Sequence, residues 1–258
     1  MGLFLSSVRT RGLWNPLRVL LPSRQQRLPG EDTDQITGQV ERVEGWLTPE
    51  EGRLLYRLAR NCTGAGVIVE IGSWKGKSAI WLGKGSKAGA KIPVCAVDPH
   101  TGSPEHRQRL GEVWTFDEFQ ANIRAAGLVG LVVPLRQTSE EAARFLDAPV
   151  ELIFIDGAHE YATARLDFEL WSPKVIAGGI MAFHDADAPG PRAVIEEFVV
   201  KPGRFRHCRF VHSILVAQKV QRASAADRLR NRCSLLSRSR QVPALVRRLA
   251  RRIGECGT

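Results

Sequence analysis

Five short apolar runs recur through the middle of the chain: VIVEI at 67–71, PVCAVD at 93–98, LVVPL at 131–135, VELIFID at 150–156 and GIMAFHD at 179–185. The stretches between them, 73–85, 116–126, 139–146 and 161–171, have helical spacing or composition. A further helix is predicted from Thr48, where Thr48-Pro49-Glu50-Glu51 reads as a capping box with Pro at the first helical position. Runs apolar on both faces and joined by helices predict an α/β fold, a doubly wound and mostly parallel sheet with right-handed crossovers. Residues 205–219 read as two strands around His212-Ser213, an antiparallel hairpin at the sheet edge. The predicted organisation is a basic extension at 1–45, one domain at 46–220 and a basic tail at 221–258.

The formal charge of +10 comes from the ends. Arg9, Arg11, Arg18, Arg24 and Arg27 face no acid in the first 30 residues, and eleven Lys or Arg after position 218 face only Asp227 and Glu255, which leaves the middle net acidic. An enzyme working on nucleic acid is expected to carry its basic excess on the folded face, so nucleic acid is not the expected partner. The ends suggest contact with an anionic membrane surface instead. VPALVRRLARRIG at 242–254 places small apolar groups and Arg pairs at helical spacing, as in a basic amphipathic helix on a membrane or a partner; a solvated tail is the alternative. No apolar run reaches the roughly 18 residues of a spanning helix. The first 30 residues are interrupted by Arg9, Arg11, Asn15 and Pro16, which reads against an export signal. Five Cys at scattered spacings make neither a disulfide framework nor a CxxC metal site and fit a reducing cytoplasm. Homo-oligomerisation is left open.

In a doubly wound sheet the ligand lies beyond the carboxyl ends of the strands, so the residues following each run are the candidate site. The first run leads into Glu70-Ile71-Gly72-Ser73-Trp74-Lys75-Gly76-Lys77-Ser78. A phosphate-binding P-loop needs four residues between its first glycine and GKS, where this chain has three, and the dinucleotide pattern GxGxxG is absent. An acid followed by a glycine turn suits a ligand with a cationic or hydroxyl-rich group; a turn that only packs helix on strand is the alternative. Asp98-Pro99 ends the second run, with a carboxylate able to take two hydroxyl donors. Thr138-Ser139 follows the third and reads as a helix N-cap. Asp156 ends the fourth run and His184-Asp185 the fifth. On neighbouring strands about 5 Å apart they would converge on one cation, and two carboxylates with an imidazole suit Mg²⁺, Mn²⁺ or Zn²⁺. A surface role for His159, a core imidazole at His184 and a helix cap at Asp185 are the bland alternatives.

EIGSWKGKSA at 70–79 resembles the first motif of class I S-adenosylmethionine-dependent methyltransferases, in the form found in metal-dependent O-methyltransferases of the catechol type. DGAHEYATARLDFELWSPKVIAGGIMAFHD at 156–185 is similar to the signature of a methyltransferase group acting on sugars and natural products, the cephalosporin-hydroxylase-like or family 24 type. The resemblance covers about residues 65–187. It implies S-adenosyl-L-methionine as cofactor, held by Glu70, Gly72, Ser73, Trp74, Gly76, Ser78, Asp98, Pro99, Thr138, Ser139 and Asp156, with Asp98 on the ribose diol and Thr138-Ser139 at the adenine edge. It also implies a divalent cation, Mg²⁺ first, at Asp156, His184 and Asp185, with His159 as catalytic base beside Asp156. The catechol-type pattern has Lys where this chain has His159 and Asp-Asn where it has His184-Asp185.

The implied reaction is O-methylation of a hydroxyl on a small-molecule or glycan acceptor, a sugar first and a small phenol second, since a vicinal diol can chelate one cation. Residues 99–117, with Trp114 and Phe116, are the expected acceptor-side insert, where His100 and Arg107 could touch a polar acceptor; His100, His106 and His207 have no assigned role. The competing classes are an RNA or small-molecule N-methyltransferase and a non-catalytic cofactor-binding regulator.

Overall fold

The computed structural model describes residues 33–239 and 243–255. Seven strands form one sheet in the order β3-β2-β1-β4-β5-β7-β6: β1 Val67–Ile71, β2 Val94–Val97, β3 Val132–Leu135, β4 Val150–Ile155, β5 Val175–Phe183, β6 Phe205–Val211 and β7 Ile214–Lys219. The first five run parallel, while β7 pairs antiparallel with both β5 and β6. This is the predicted sheet with its edge hairpin. The strand order reverses between β1 and β4, and there the crevice for a ligand opens.

Helices cover both faces because the central strands are apolar on both: every residue of β1, β2 and β4 is buried. One face carries α1 Thr33–Val40, α2 Pro49–Arg60, α3 Lys77–Ala88, the short α4 Pro104–Leu110 beyond its rim, and α5 Phe116–Ala125. Tyr56, Trp81 and Phe119 fill the layer between these helices and the sheet. The other face carries α6 Ser139–Phe145, α7 Tyr161–Trp171 and α8 Pro189–Val194, which continues as a π-helical turn over Ile195–Val200. Phe168, Trp171, Phe183 and Phe205 pack there. Burying each large side chain stabilises the fold by about 2–3 kcal/mol.

Three features differ from the sequence expectation. The run expected at 179–185 belongs to a longer strand, β5, which begins at Val175; Gly178, at φ +88°, and a register shift against β4 absorb the extra residues. The helix expected over 73–85 starts at Lys77, because the preceding residues form the glycine bend. The packed domain also extends past the boundaries at 46 and 220. Ile36, Val40 and Val43 are buried on the helical face, and α9 Ala225–Leu236 lies against β6. Asn231, fully buried in α9, accepts the Cys208 amide at 3.0 Å and donates to the Phe205 carbonyl at 2.8 Å. Cys208 sits in the β6–β7 register shift between Arg206 and Arg209, and the asparagine gives its amide a partner outside the ladder. Asn231→Ala would leave two buried backbone groups unpaired and is expected to destabilise the protein by about 2–4 kcal/mol, read from the urea midpoint at constant m. A final helix, α10 Ala244–Glu255, packs on α9 through Ala250 and Gly254. Residues 1–32, with the N-terminal arginines, and Val242 lie outside the described residues.

Candidate active site

The bend after β1 is held by its glycines and by Asp98. Gly72 has φ +84°, and a Cβ there would stand 2.1 Å from the Asp156 carbonyl oxygen, so only glycine lets β1 and β4 close together at this point. Gly76, at φ +92°, opens α3 without a side-chain cap. Asp98 Oδ2 accepts the amides of Ser73 at 2.9 Å and Trp74 at 2.8 Å, and Oδ1 accepts the His100 amide at 2.6 Å. A carboxylate has about four acceptor sites, so Asp98 first positions the bend and keeps room for one further donor rather than two. Pro99 beside it is exposed.

Glu70 lies beneath this bend, fully buried, with neither carboxyl oxygen hydrogen-bonded. Burial pushes its pKa up to about 8 from an ordinary 4.5, against nearby Ser78 and Ser73 and with the charges of Asp156 and Asp98 pushing the same way. The Ser73 hydroxyl and the Trp74 indole N–H are likewise buried without partners. A buried acid, a hydroxyl and an indole donor left unsatisfied around one strand end make a cradle for a polar ligand.

The ends of β4 and β5 bring the next group together. Ile155 pairs with Phe183, so the residues that follow emerge side by side. His184 Nδ1 is 3.0 Å from Asp156 Oδ1 and 2.9 Å from Asp185 Oδ2. One ligand atom from each of these three residues lies within 4.8 Å of the others. His159 Nε2 approaches Asp185 Oδ2 at 3.2 Å from the other side. Asp185 takes the left-handed conformation, φ +44°, which turns its carboxylate back between the two imidazoles. It does not cap the next helix, whose N-cap is Ala188.

Glu51 completes the cluster, 3.8 Å from His184 Nε2 and almost wholly buried. Its hydrogen bonds come from the amide and hydroxyl of Thr48, the expected capping box, and from the amide and hydroxyl of Ser213 in the β6–β7 turn. Burial favours the uncharged acid, but His184, Ser213 and Thr48 outweigh it and hold the Glu51 pKa down to about 2. Burial would likewise strip His184 of its proton, yet Asp156, Asp185 and Glu51 hold the proton on, pushing the pKa up to about 12. Hydrogen bonds from His159 and His184 keep the Asp185 carboxyl well below the usual range. The site gathers the carboxylates of Glu51, Asp156 and Asp185 around a His184 imidazole that they hold in its charged form.

Thr138 caps α6 in a capping box with Glu141, and Ser139 accepts the Trp171 indole N–H at 2.9 Å. Asp167 is buried close to Ser139 and Gly157, and burial, eased by Ser139, pushes its pKa up to about 6. In the 99–117 segment, His100 is enclosed between Phe116 and Phe119 with Nδ1 on the Thr115 hydroxyl, so it presents no surface to an acceptor. Arg107 is tied to the Gly102 carbonyl. His106, with no role expected, stacks on Trp74 at 4.7 Å and on Trp46 at 5.3 Å, a three-ring wall beside the glycine bend. Trp46 and Glu51 carried no functional signal in the sequence.

Residues 69–186 match a family model described as a methyltransferase domain. A stretch of 122 residues, 46% of this chain, is 33% identical to an uncharacterized protein of Sinorhizobium fredii; the match spans 13% of that protein's length. The O-methyltransferase TomG of Streptomyces achromogenes, involved in tomaymycin synthesis and solved with S-adenosylmethionine, superposes with a TM-score of 0.53 at 17% identity over 80% of this chain and 97% of TomG. An O-methyltransferase of Bacillus cereus solved with S-adenosylhomocysteine gives 0.52 at 18% identity over 74% of this chain and 93% of its own. These two structures share the fold described above.

Proposed function

We propose that this chain, whose residues 69–186 match a methyltransferase-domain family model, transfers the methyl group of S-adenosylmethionine to a hydroxyl oxygen of a sugar, glycan or similar natural product, assisted by a divalent cation. The observation that carries the reading is Glu70: a fully buried carboxyl at a glycine bend, with the Ser73 and Ser78 hydroxyls near it, is stabilised in its charged form by a cationic ligand bound against it. The aminoacyl ammonium of S-adenosylmethionine is such a group. The Ser73 hydroxyl and Trp74 indole would find partners on the same ligand, and the free acceptor site of Asp98 would take a ribose hydroxyl. The TomG and Bacillus cereus structures, which hold this cofactor or its demethylated product in the same fold, support the choice.

The donor set Asp156, His184 and Asp185 fits a divalent cation, since two carboxylates already converge on an imidazole nitrogen that a metal would take in place of the proton. When bound, the cation would supply Lewis acidity that lowers the pKa of an acceptor hydroxyl. His159 would accept the hydroxyl proton, and Asp185, 3.2 Å away, would orient its ring and stabilise the imidazolium that results. Glu51 fixes His184 from behind by the same charge logic, anchored in turn by Ser213. The sulfonium methyl is already activated, so alignment of acceptor and donor is the protein's main task. The wall of Trp46, Trp74 and His106 gives the acceptor an apolar face to lie on. The four described cysteines are unpaired, which supports a cytoplasmic setting.

Calorimetry with S-adenosylmethionine, with Mg²⁺ or with EDTA, tests the reading. Binding in both, with methyl transfer to a panel of sugar and catechol diols only where metal is present, is expected. No binding overturns the enzyme reading, and metal-independent binding without transfer to any diol would make the protein a cofactor-responsive regulator.

A further inference from the structure

We propose that the helical pair α9–α10 is a docking surface for an anionic lipid bilayer. In α10 the side turned to α9 is marked by buried Ala250 and half-buried Gly254. At 100° per residue the opposite side carries Leu245 and Leu249 together with Arg248 and Arg252. The two leucines are 69% and 52% exposed, and Val246 and Ile253 continue the apolar strip. Arg247 and Arg251 flank the contact with α9, and Glu255 is the only acid in the helix. On α9, Leu229 and Leu236 lie on one stripe, both exposed, with Arg232 beside Leu236.

Interleaved leucine and arginine on one outward strip select the occupant. The core of a protein–protein interface admits arginine where each guanidinium finds an acceptor, so burying Arg232, Arg248 and Arg252 there would require matched acids on the partner. A bilayer with anionic headgroups accepts the same pattern without such matching: the leucines enter the headgroup–acyl boundary while the guanidinium groups reach outward to phosphate. Each arginine held near such a surface adds to the attraction, and the nearly acid-free helix has little to offset it. No described helix is long and apolar enough to cross a membrane, so the contact is peripheral.

The pair is also braced to the catalytic end of the sheet. Arg192 donates to the Leu235 carbonyl at 2.8 Å, and Arg238 donates to the His212 carbonyl at 2.6 Å, in the turn whose Ser213 holds Glu51. Docking through α9–α10 would therefore fix the site relative to the membrane plane.

Co-sedimentation of the full chain with phosphatidylcholine vesicles and with phosphatidylglycerol-rich vesicles tests this. Partition at least about tenfold stronger onto the anionic vesicles is expected, weakening as salt rises. The double variant R248E/R252E is expected to lose about tenfold or more of that partition, and L245S/L249S to weaken it independently, both with unchanged Tm because all four side chains are exposed. Equal partition onto neutral and anionic vesicles overturns the proposal. So does undiminished binding of R248E/R252E, which would place the contact in the N-terminal arginines. A concentration-dependent dimer in sedimentation velocity, abolished by L245S/L249S while lipid partition persists, also overturns it.

Discussion

Asp156→Ala is expected to lower methyl transfer to diol acceptors by on the order of 10³-fold in the presence of excess Mg²⁺ or Mn²⁺, and to remove tight Mn²⁺ binding measured by paramagnetic resonance. The side chain is 27% exposed and its Oδ1 makes a 3.0 Å contact with His184 Nδ1, so truncation removes a ligand without emptying a core site. That makes it a cleaner probe than His184, whose loss would leave Glu51 buried beside no counter-charge and would destabilise the fold as well. Affinity for S-adenosylmethionine should change far less, because Glu70, Ser73 and Trp74 stand on a different strand end. EDTA applied to the unaltered protein should reproduce the loss, and EDTA added to the variant should add little, since both remove the same contribution. Full turnover by the variant in metal-supplemented assay would remove the cation from the mechanism and leave His159 and Asp185 as an acid–base pair acting alone.

The parts of this site that were legible in the sequence are those where one residue's position along its own strand decides the outcome. Apolar runs of five to seven residues could be buried only as parallel strands, and in such a sheet the residues after each run must meet at one end. That argument placed Glu70, Asp98, Asp156, His184 and Asp185 together. What escaped depends on contacts between distant segments. Glu51 already had a complete local explanation as the third helical residue of a capping box; its bond to Ser213 spans 162 positions, and no periodicity reports such a pairing. The Trp46–Trp74–His106 wall joins three segments that have no common pattern. The tail reads as basic, with an amphipathic helix at 242–254, and nothing in that pattern marks 225–236 as packed. Yet Asn231 is a polar residue inside a helical stripe, and its burial against the register-shifted hairpin extends the packed domain through α9. Charge described the exposed side of those helices correctly and said nothing of the buried one.

Binding of S-adenosylmethionine near neutral pH is expected to release close to one proton from Glu70, and the Glu70→Gln variant should release none. In the free protein this carboxyl has a pKa of about 8, against 4.5 for an ordinary glutamate. Between those values the folded chain holds a proton that the unfolded chain gives up. The contribution of Glu70 to stability is therefore greatest below pH 4.5 and declines as pH rises toward 8. A cationic ligand placed against the carboxylate reverses the balance, because the ion pair favours the charged form and expels the proton. Affinity should thus climb with pH up to about 8, by at most about tenfold per unit, and then flatten or fall as the ligand's own α-amino group loses its charge near the same value. Calorimetry in phosphate and in Tris separates this from direct heats, since the released proton is taken up by buffers of different ionisation enthalpy. Glu70→Gln keeps the shape of the side chain but has no proton to lose. Its apparent binding enthalpy should be the same in both buffers, its free-state Tm should lose the decline between pH 4.5 and 8, and its affinity should fall by about tenfold or more. Buffer-independent enthalpy in the unaltered protein, with undiminished affinity in Glu70→Gln, would mean that the buried acid does not face the cofactor ammonium, and the principal support for the proposed cofactor would be gone.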